Sequence, residues 1–173
     1  MKKPILLILC ILLFVACNTD NNDTIETDLL NYSLISPDNV SIATSAKQLN
    51  FMITAGKGKV IDIQYTKTDE KNTIIAKIDY QINNTSMSTI LTRGVVNFKF
   101  PNDAIININS KPQLKNEDQD DIYISCSGGG CCYPSGTYDP NSQLFTTSCK
   151  CEGGNNSACI MRVGKNPPEE IKQ

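Results

Sequence analysis

Histidine and tryptophan are absent from this chain, and arginine occurs only as Arg93 and Arg162. Without histidine, neither Ser-His-Asp nor Cys-His nucleophiles can be assembled, and a His-ligated catalytic zinc is excluded. The lack of Trp and an aromatic content of 6% leave little material for a sugar-stacking platform. No Lys/Arg cluster tracks phosphates. With the N-terminal Lys2 and Lys3 set aside, 16 basic side chains fall to 14 against 18 acidic ones, so nucleic acid is not an expected partner. Paired carboxylates are a route to glycoside hydrolysis, but no spacing here marks such a pair out from surface acids. A non-enzymatic protein without cofactor is the expectation.

Long apolar runs are also scarce. The one that stands out spans Ile5 to Val15, and its helical rise of about 16 Å is half the roughly 30 Å hydrocarbon thickness of a bilayer. Lys2 and Lys3, this short run, and then Phe14-Val15-Ala16-Cys17 have the layout of an export signal. These residues resemble the signal peptide and lipobox of a bacterial lipoprotein, with Phe14 where Leu is usual. The resemblance implies removal of residues 1–16, a diacylglycerol on the Cys17 sulfur, an acyl chain such as palmitate on its amine, and a membrane contact made through that anchor. The acidic stretch that follows, Asn18-Thr19-Asp20-Asn21-Asn22-Asp23-Thr24, is similar to the surface-export signals of lipoproteins in Bacteroidota. Asp23-Thr24-Ile25 likewise resembles the O-glycosylation site of that phylum, with Thr24 as the acceptor. Together these imply a lipid-anchored outer-membrane protein, facing either the periplasm or the cell surface, with a partner in the envelope or outside the cell.

Cysteine arithmetic agrees with lipidation. Of the 8 cysteines, the resemblance implies that Cys10 leaves with the signal and that Cys17 is acylated. Cys126, Cys131, Cys132, Cys149, Cys151 and Cys159 remain, an even set in an oxidising compartment, and close spacing there reads as a disulfide framework. Six cysteines permit fifteen pairings. Adjacent Cys131 and Cys132 face opposite ways in an extended chain and go to different partners. Cys149 and Cys151 share one strand face. The preferred arrangement joins Cys126 to Cys159, with Cys131 and Cys132 bonded to Cys149 and Cys151 in either order. Two other uses of the cluster compete with structural bridges. A thiolate metal site is one, although paired CxxC spacing is absent and no metal ligand is assigned. Thiol–disulfide exchange at Cys149-Lys150-Cys151 is the other, without the thioredoxin-like βαβ context.

The remaining pattern is that of strands. Residues 17–36 form a lipidated Cys and a flexible acidic tether, too polar to offset the entropy of ordering. Over residues 37–53, Ser36-Pro37-Asp38 followed by Ile42, Ala46, Leu49 and Ile53 predicts a short helix near residues 39–50, ending at Asn50 or continuing to Thr54. A strand with Val40, Ile42, Thr44 and Ala46 on one face is the competing pattern. Beyond Gly58 the period becomes two: Ile61, Ile63 and Tyr65 alternate with polar residues, as do Ile74, Ala76, Ile78, Tyr80 and Ile82. Turn-rich residues at 68–72 and Asn83-Asn84 divide residues 59–100 into an antiparallel meander, with Gly94 as a bend between strands at 88–93 and 95–100. Ala104 to Asn109 is a further candidate strand.

The expected fold is therefore mainly β: an antiparallel β-meander with one short N-terminal helix and a disulfide-rich C-terminal β-hairpin lobe. In domain terms this is a β domain over 37–110, a polar connector at 111–121, a cysteine-rich lobe at 122–163 and a disordered tail at 164–173. Carboxylates at 117–121 lack the alternating ligands and central Gly of a calcium loop. Tyr123, Tyr133 and Tyr138 are candidate contact residues, with strand packing as their alternative role. The expected function is a lipid-anchored binding or interaction module of the cell envelope; the alternative is a redox or metal-handling lipoprotein built on the cysteine cluster.

Overall fold

The computed structural model describes residues 30–108, 120–128, 130–153 and 158–166. Cys17, Thr24, the leader, most of the tether, residues 109–119 and residues 167–173 lie outside the described residues.

Alternation along residues 74–82 organises the large sheet. Strand β2 (Ile74–Ile82) points Ile74, Ala76, Ile78, Tyr80 and Ile82 to one face and Ile75, Lys77, Asp79 and Gln81 to the other. It pairs antiparallel with β1 (Gly58–Thr66) on one side and β3 (Thr85–Arg93) on the other. Asn83 and Asn84, at φ 49° and 63°, make the two-residue turn whose twist suits such a hairpin. Strand β1 departs from simple alternation. Val60 and Ile63 are three residues apart and both buried, because the register shifts between Val60 and Asp62 and Ile61 bulges out to 43% exposure. The expected face of Ile61, Ile63 and Tyr65 is thus corrected to Val60, Ile63 and Tyr65.

The helix begins later than expected. Ser36-Pro37-Asp38 opens a tight turn, with the Ser36 N–H donating to the Val40 carbonyl (2.9 Å) and Asn39 left-handed at φ 59°. Helix α1 (Ala46–Thr54) starts instead at Ser45, whose hydroxyl accepts the Gln48 N–H at 3.1 Å. It ends at left-handed Ala55, and the Asn50 side-chain oxygen accepts the Val60 N–H at 2.7 Å, fixing the entry into β1. Leu49 and Ile53 pack with Ile42 onto the sheet.

After Arg93 the chain leaves the meander. Gly94 sits at φ +90°, and a Cβ there would lie 2.7 Å from the Asn72 carbonyl oxygen. The expected strand at 95–100 is shorter, β4 (Asn97–Lys99), and belongs to a second sheet, where it pairs parallel with β8 (Leu144–Cys151). β5 (Ile105–Asn107) returns to the large sheet, parallel to β9 (Ile160–Gly164). β6 (Ile122–Ser127) joins β3 antiparallel, and β7 (Cys132–Asp139) pairs antiparallel with β8. The result is a six-stranded sheet, β1-β2-β3-β6-β9-β5, and a three-stranded sheet, β4-β8-β7. The separation into a 37–110 domain and a 122–163 lobe is accordingly corrected: Asn31–Gln173 form one unit, because β6 and β9 extend the meander's own sheet. Gly164, expected in the tail, ends β9.

Two cores lie on opposite faces of the large sheet. On the helix face, Leu49, Ile53, Ile74, Ile78, Leu91 and Tyr123 are buried under α1 and residues 32–43. On the cleft face, Ile90, Ile122, Ile124, Met161 and Val163 pack against Phe145 and the partly buried Phe98 of the small sheet. Phe98 stacks on Phe100 at 5.2 Å and meets Phe145 edge-on at 6.3 Å. Each layer covers part of the large sheet. Lys77 and Asp79 remain half-exposed on the cleft face, and Ile105, Ile160 and Arg162 are exposed at the other end of the sheet.

Arg93 ties the layers at the end of β3. Its Nε donates to Asp121 Oδ1 at 2.6 Å and one Nη to Oδ2 at 3.1 Å, while the Ser41 and Ile42 carbonyls accept the remaining bonds at 2.9 and 3.1 Å. One guanidinium thus holds the segment before α1, the end of β3 and the entry to β6. Asp121, expected as part of a solvated connector, is an ion-pair partner in this fold. Arg93→Ala should lower stability by about 2–3 kcal/mol in urea unfolding, since charge-assisted bonds to partly buried groups are lost; a loss below about 0.5 kcal/mol would contradict this role.

Burial pushes the Tyr80 and Tyr65 hydroxyls up to about 12. Because the folded values are raised above the unfolded one, stability is intact below about pH 10 and falls as pH rises from about 10 towards about 12. Urea unfolding at about pH 9 and about pH 11.5 should show that decline flattened in Tyr80→Phe; an unchanged decline would assign it to other groups.

Candidate functional site

The cysteines are where the two sheets are joined. Cys126 on β6 bonds Cys149 on β8, Cys132 at the start of β7 bonds Cys159 just before β9, and Cys131 in the preceding turn bonds Cys151 at the end of β8. Their Cα–Cα distances of 5.8, 5.6 and 4.9 Å suit disulfides. Cys131 and Cys132 do go to different partners. The expected Cys126–Cys159 bridge is corrected, and the reason is facial. Cys126 lies opposite Met161, and Cys159 precedes Ile160, the partner of Ser127. Both cysteines sit on the cleft face of the large sheet and aim at the small sheet. Two bridges therefore cross between sheets, and the third closes the small sheet's own hairpin. Among the described residues no group of three or more His, Cys, Asp or Glu is placed to hold a metal ion.

The small sheet overhangs the large one and leaves a cleft of about 370 Å³ beside β7. Its floor is two rows across the large sheet: Gln64, Lys77 and Ile90 are successive partners on β1, β2 and β3, and Thr66 and Ile75 are partners in the next row. Tyr133, Pro134, Ser135 and Gly136 of β7 form the wall, with Phe145 behind them. The inner end is apolar, built by the buried Ile75, Ile90, Pro134 and Phe145, and the outer end is polar at Gln64, Thr66 and Lys77. Gly136 makes room for Phe145: a Cβ at 136 would come within 2.2 Å of the ring.

The cleft is nearly neutral in charge. Lys77 is its one charged lining residue; the ammonium lies 3.3 Å from Asp79 and 5.6 Å from the centroid of the Tyr133 ring. Asp79 also accepts the Ser88 hydroxyl at 2.6 Å, and Asp62, its cross-strand neighbour, accepts the Gln64 amide at 3.0 Å. Of the three candidate tyrosines only Tyr133 lines the cleft. Tyr123 is buried in the helix-face core, and Tyr138 packs into the cleft-face core with its hydroxyl enclosed and unpartnered. Gln64, Thr66, Lys77 and Ser135 read from sequence as ordinary wet-face residues of strands. Only the overhang of β7 makes them a site.

Compared with known proteins, the chain matches no family model, no curated protein and no solved structure.

The three bridges span separations of 23, 20 and 27 residues, so chain entropy ranks them almost equally, each worth about 2–4 kcal/mol. Topology separates their effects. Hydrogen exchange on the reduced protein should show β7 and β8 losing protection first while β2 and β3 keep theirs. Uniform loss over both sheets would mean that the large sheet cannot hold without the small one.

Proposed function

We propose that this chain is a lipid-anchored protein of the cell envelope, displayed from the outer membrane, whose folded domain is a non-enzymatic binding module with its ligand seat in the cleft beside β7. The observation that carries the binding reading is the overhang itself: a disulfide-clamped sheet stands over polar and apolar side chains of the large sheet, at a volume within the range of about 300–1,000 Å³ typical of ligand pockets. The anchoring part is supported by the Lys2-Lys3 start, the apolar run and Cys17. No described helix is long and apolar enough to cross a membrane, so attachment in this reading falls to the acylated cysteine. A thiolate metal site would need free sulfur where all six cysteines are bonded, and the structural reading of the bridges over disulfide exchange is supported by the buried member each has in Cys126, Cys151 or Cys159.

Both parts can be tested in one experiment on cells producing the full chain. The protein should partition into the detergent phase and carry diacylglycerol, and Cys17→Ser should move it wholly to the aqueous phase; a Cys17→Ser protein still in detergent would rule the anchor out. Gln64→Trp, which fills the open end of the cleft from an exposed position, should abolish capture of whatever the wild-type domain retains from solubilised envelope. Undiminished capture would remove the cleft from the account.

A further inference from the structure

Building on the cleft as ligand seat, we infer that its occupant is an extended, uncharged peptide segment that adds as a strand to the free edge of β7 and seats one apolar side chain between the sheets. β7 is the last strand of the order β4-β8-β7, so among the described residues one of its edges has no strand neighbour. That edge faces the cleft. Four consecutive residues, Tyr133 to Gly136, line it, which makes the wall a strand backbone more than a set of side chains.

The phase of the ladder says which groups are offered. Pro134 stands opposite Cys149, and a proline fits an antiparallel ladder where its nitrogen faces away from the partner strand. Residues of that parity turn outward, so the Pro134 carbonyl and both the N–H and carbonyl of Gly136 address the cleft. Proline removes one donor, which limits the edge to a short partner and guards it against open-ended pairing between copies. Beneath the added strand, the floor from Ile90 to Gln64 crosses three strands, about 10 Å. Its inner end, with Ile75, Ile90 and Phe145 only 1, 2 and 1% exposed, is apolar.

Charge and aromatic content favour peptide over the other polymers of an envelope. An anionic ligand would have to displace Asp79 from Lys77, and the Tyr133 ring, on which a sugar would stack, already carries the Lys77 ammonium. A neutral backbone needs neither group.

The test uses the full mature domain, disulfides intact, and three probes: a pool of end-capped, uncharged hexapeptides, the same pool N-methylated at alternate residues, and a pool of neutral oligosaccharides. Backbone resonance mapping should show the unmodified peptides shifting the Gly136 amide together with Gln64 and Lys77. N-methylation should weaken binding at least tenfold. Gly136→Ala drives a Cβ into Phe145 and disturbs the fold, so Gln64→Trp serves as the blocking variant and should also weaken binding at least tenfold. Peptide binding indifferent to N-methylation overturns strand addition. Oligosaccharides that shift the same residues while peptides do not overturn the peptide inference and leave the cleft standing as a ligand seat. Absence of cleft shifts with all three pools overturns both.

Discussion

The covalent crossing from β6 to β8, Cys126 to Cys149, is the constraint on which the rest of this structure depends. A small sheet made of one hairpin and a three-residue strand is marginal in water by itself. Its value to the fold is the lid it places over Ile90, Ile122, Ile124, Met161 and Val163, which would otherwise face solvent. Cys132–Cys159 repeats the crossing near β9, so the overhang is held at two points and cannot pivot freely about one. That fixed overhang defines the cleft wall.

On the opposite face the same task is done without covalent bonds. The α1 layer is held by burial of Ile42, Leu49 and Ile53 and by the Arg93 guanidinium, which gathers the Ser41 and Ile42 carbonyls with Asp121. The two layers are offset across the large sheet, one over β1 to β3 and the other centred on β3, β6 and β9. Offset coverage leaves a polar ledge at Lys77 and Asp79 and an exposed strip at Ile105 and Ile160. A domain of this size thus obtains two cores and an open shelf from one sheet.

Much of the fold was legible in the sequence because local chemistry settles it. The β2 alternation and the Asn83-Asn84 turn follow from side-chain period and left-handed turn preference, and the even number and close spacing of the six C-terminal cysteines point to disulfides without saying which joins which. The misreadings occur where a non-local contact overrules the local pattern. Ile61 reads as a core residue in a period of two, and only the bulge opposite Tyr80 and Asp79 expels it. Ser36-Pro37-Asp38 has the composition of a helix start and is used as a turn, since Ser45 is the residue whose hydroxyl meets a helical N–H. Strands β4 and β5, three residues each, carry too short a pattern to announce a parallel partner far along the chain. Of the cleft only Tyr133 was legible, as an aromatic contact candidate beside the cysteines; Gln64 and Lys77 lie far from it in sequence, and nothing in their types marks them until the disulfides bring β7 over β2. Arg93 carried a rarer signal, as one of two arginines in the chain, but its partners come from two separate segments.

The pairing of the cysteines decides between a clamped pair of sheets and an appended lobe. Cleavage of the unreduced protein on both sides of β7, after Lys150 and after Glu152, followed by mass spectrometry of the linked peptides, separates Cys149, Cys151 and Cys159 and reads the partner of Cys126 directly. The account predicts Cys126 joined to Cys149 and Cys132 to Cys159, with Cys131 and Cys151 as the third pair. Finding Cys126 joined to Cys159 would contradict it, because the bonds would then stay within each sheet and nothing covalent would hold β7 over the cleft.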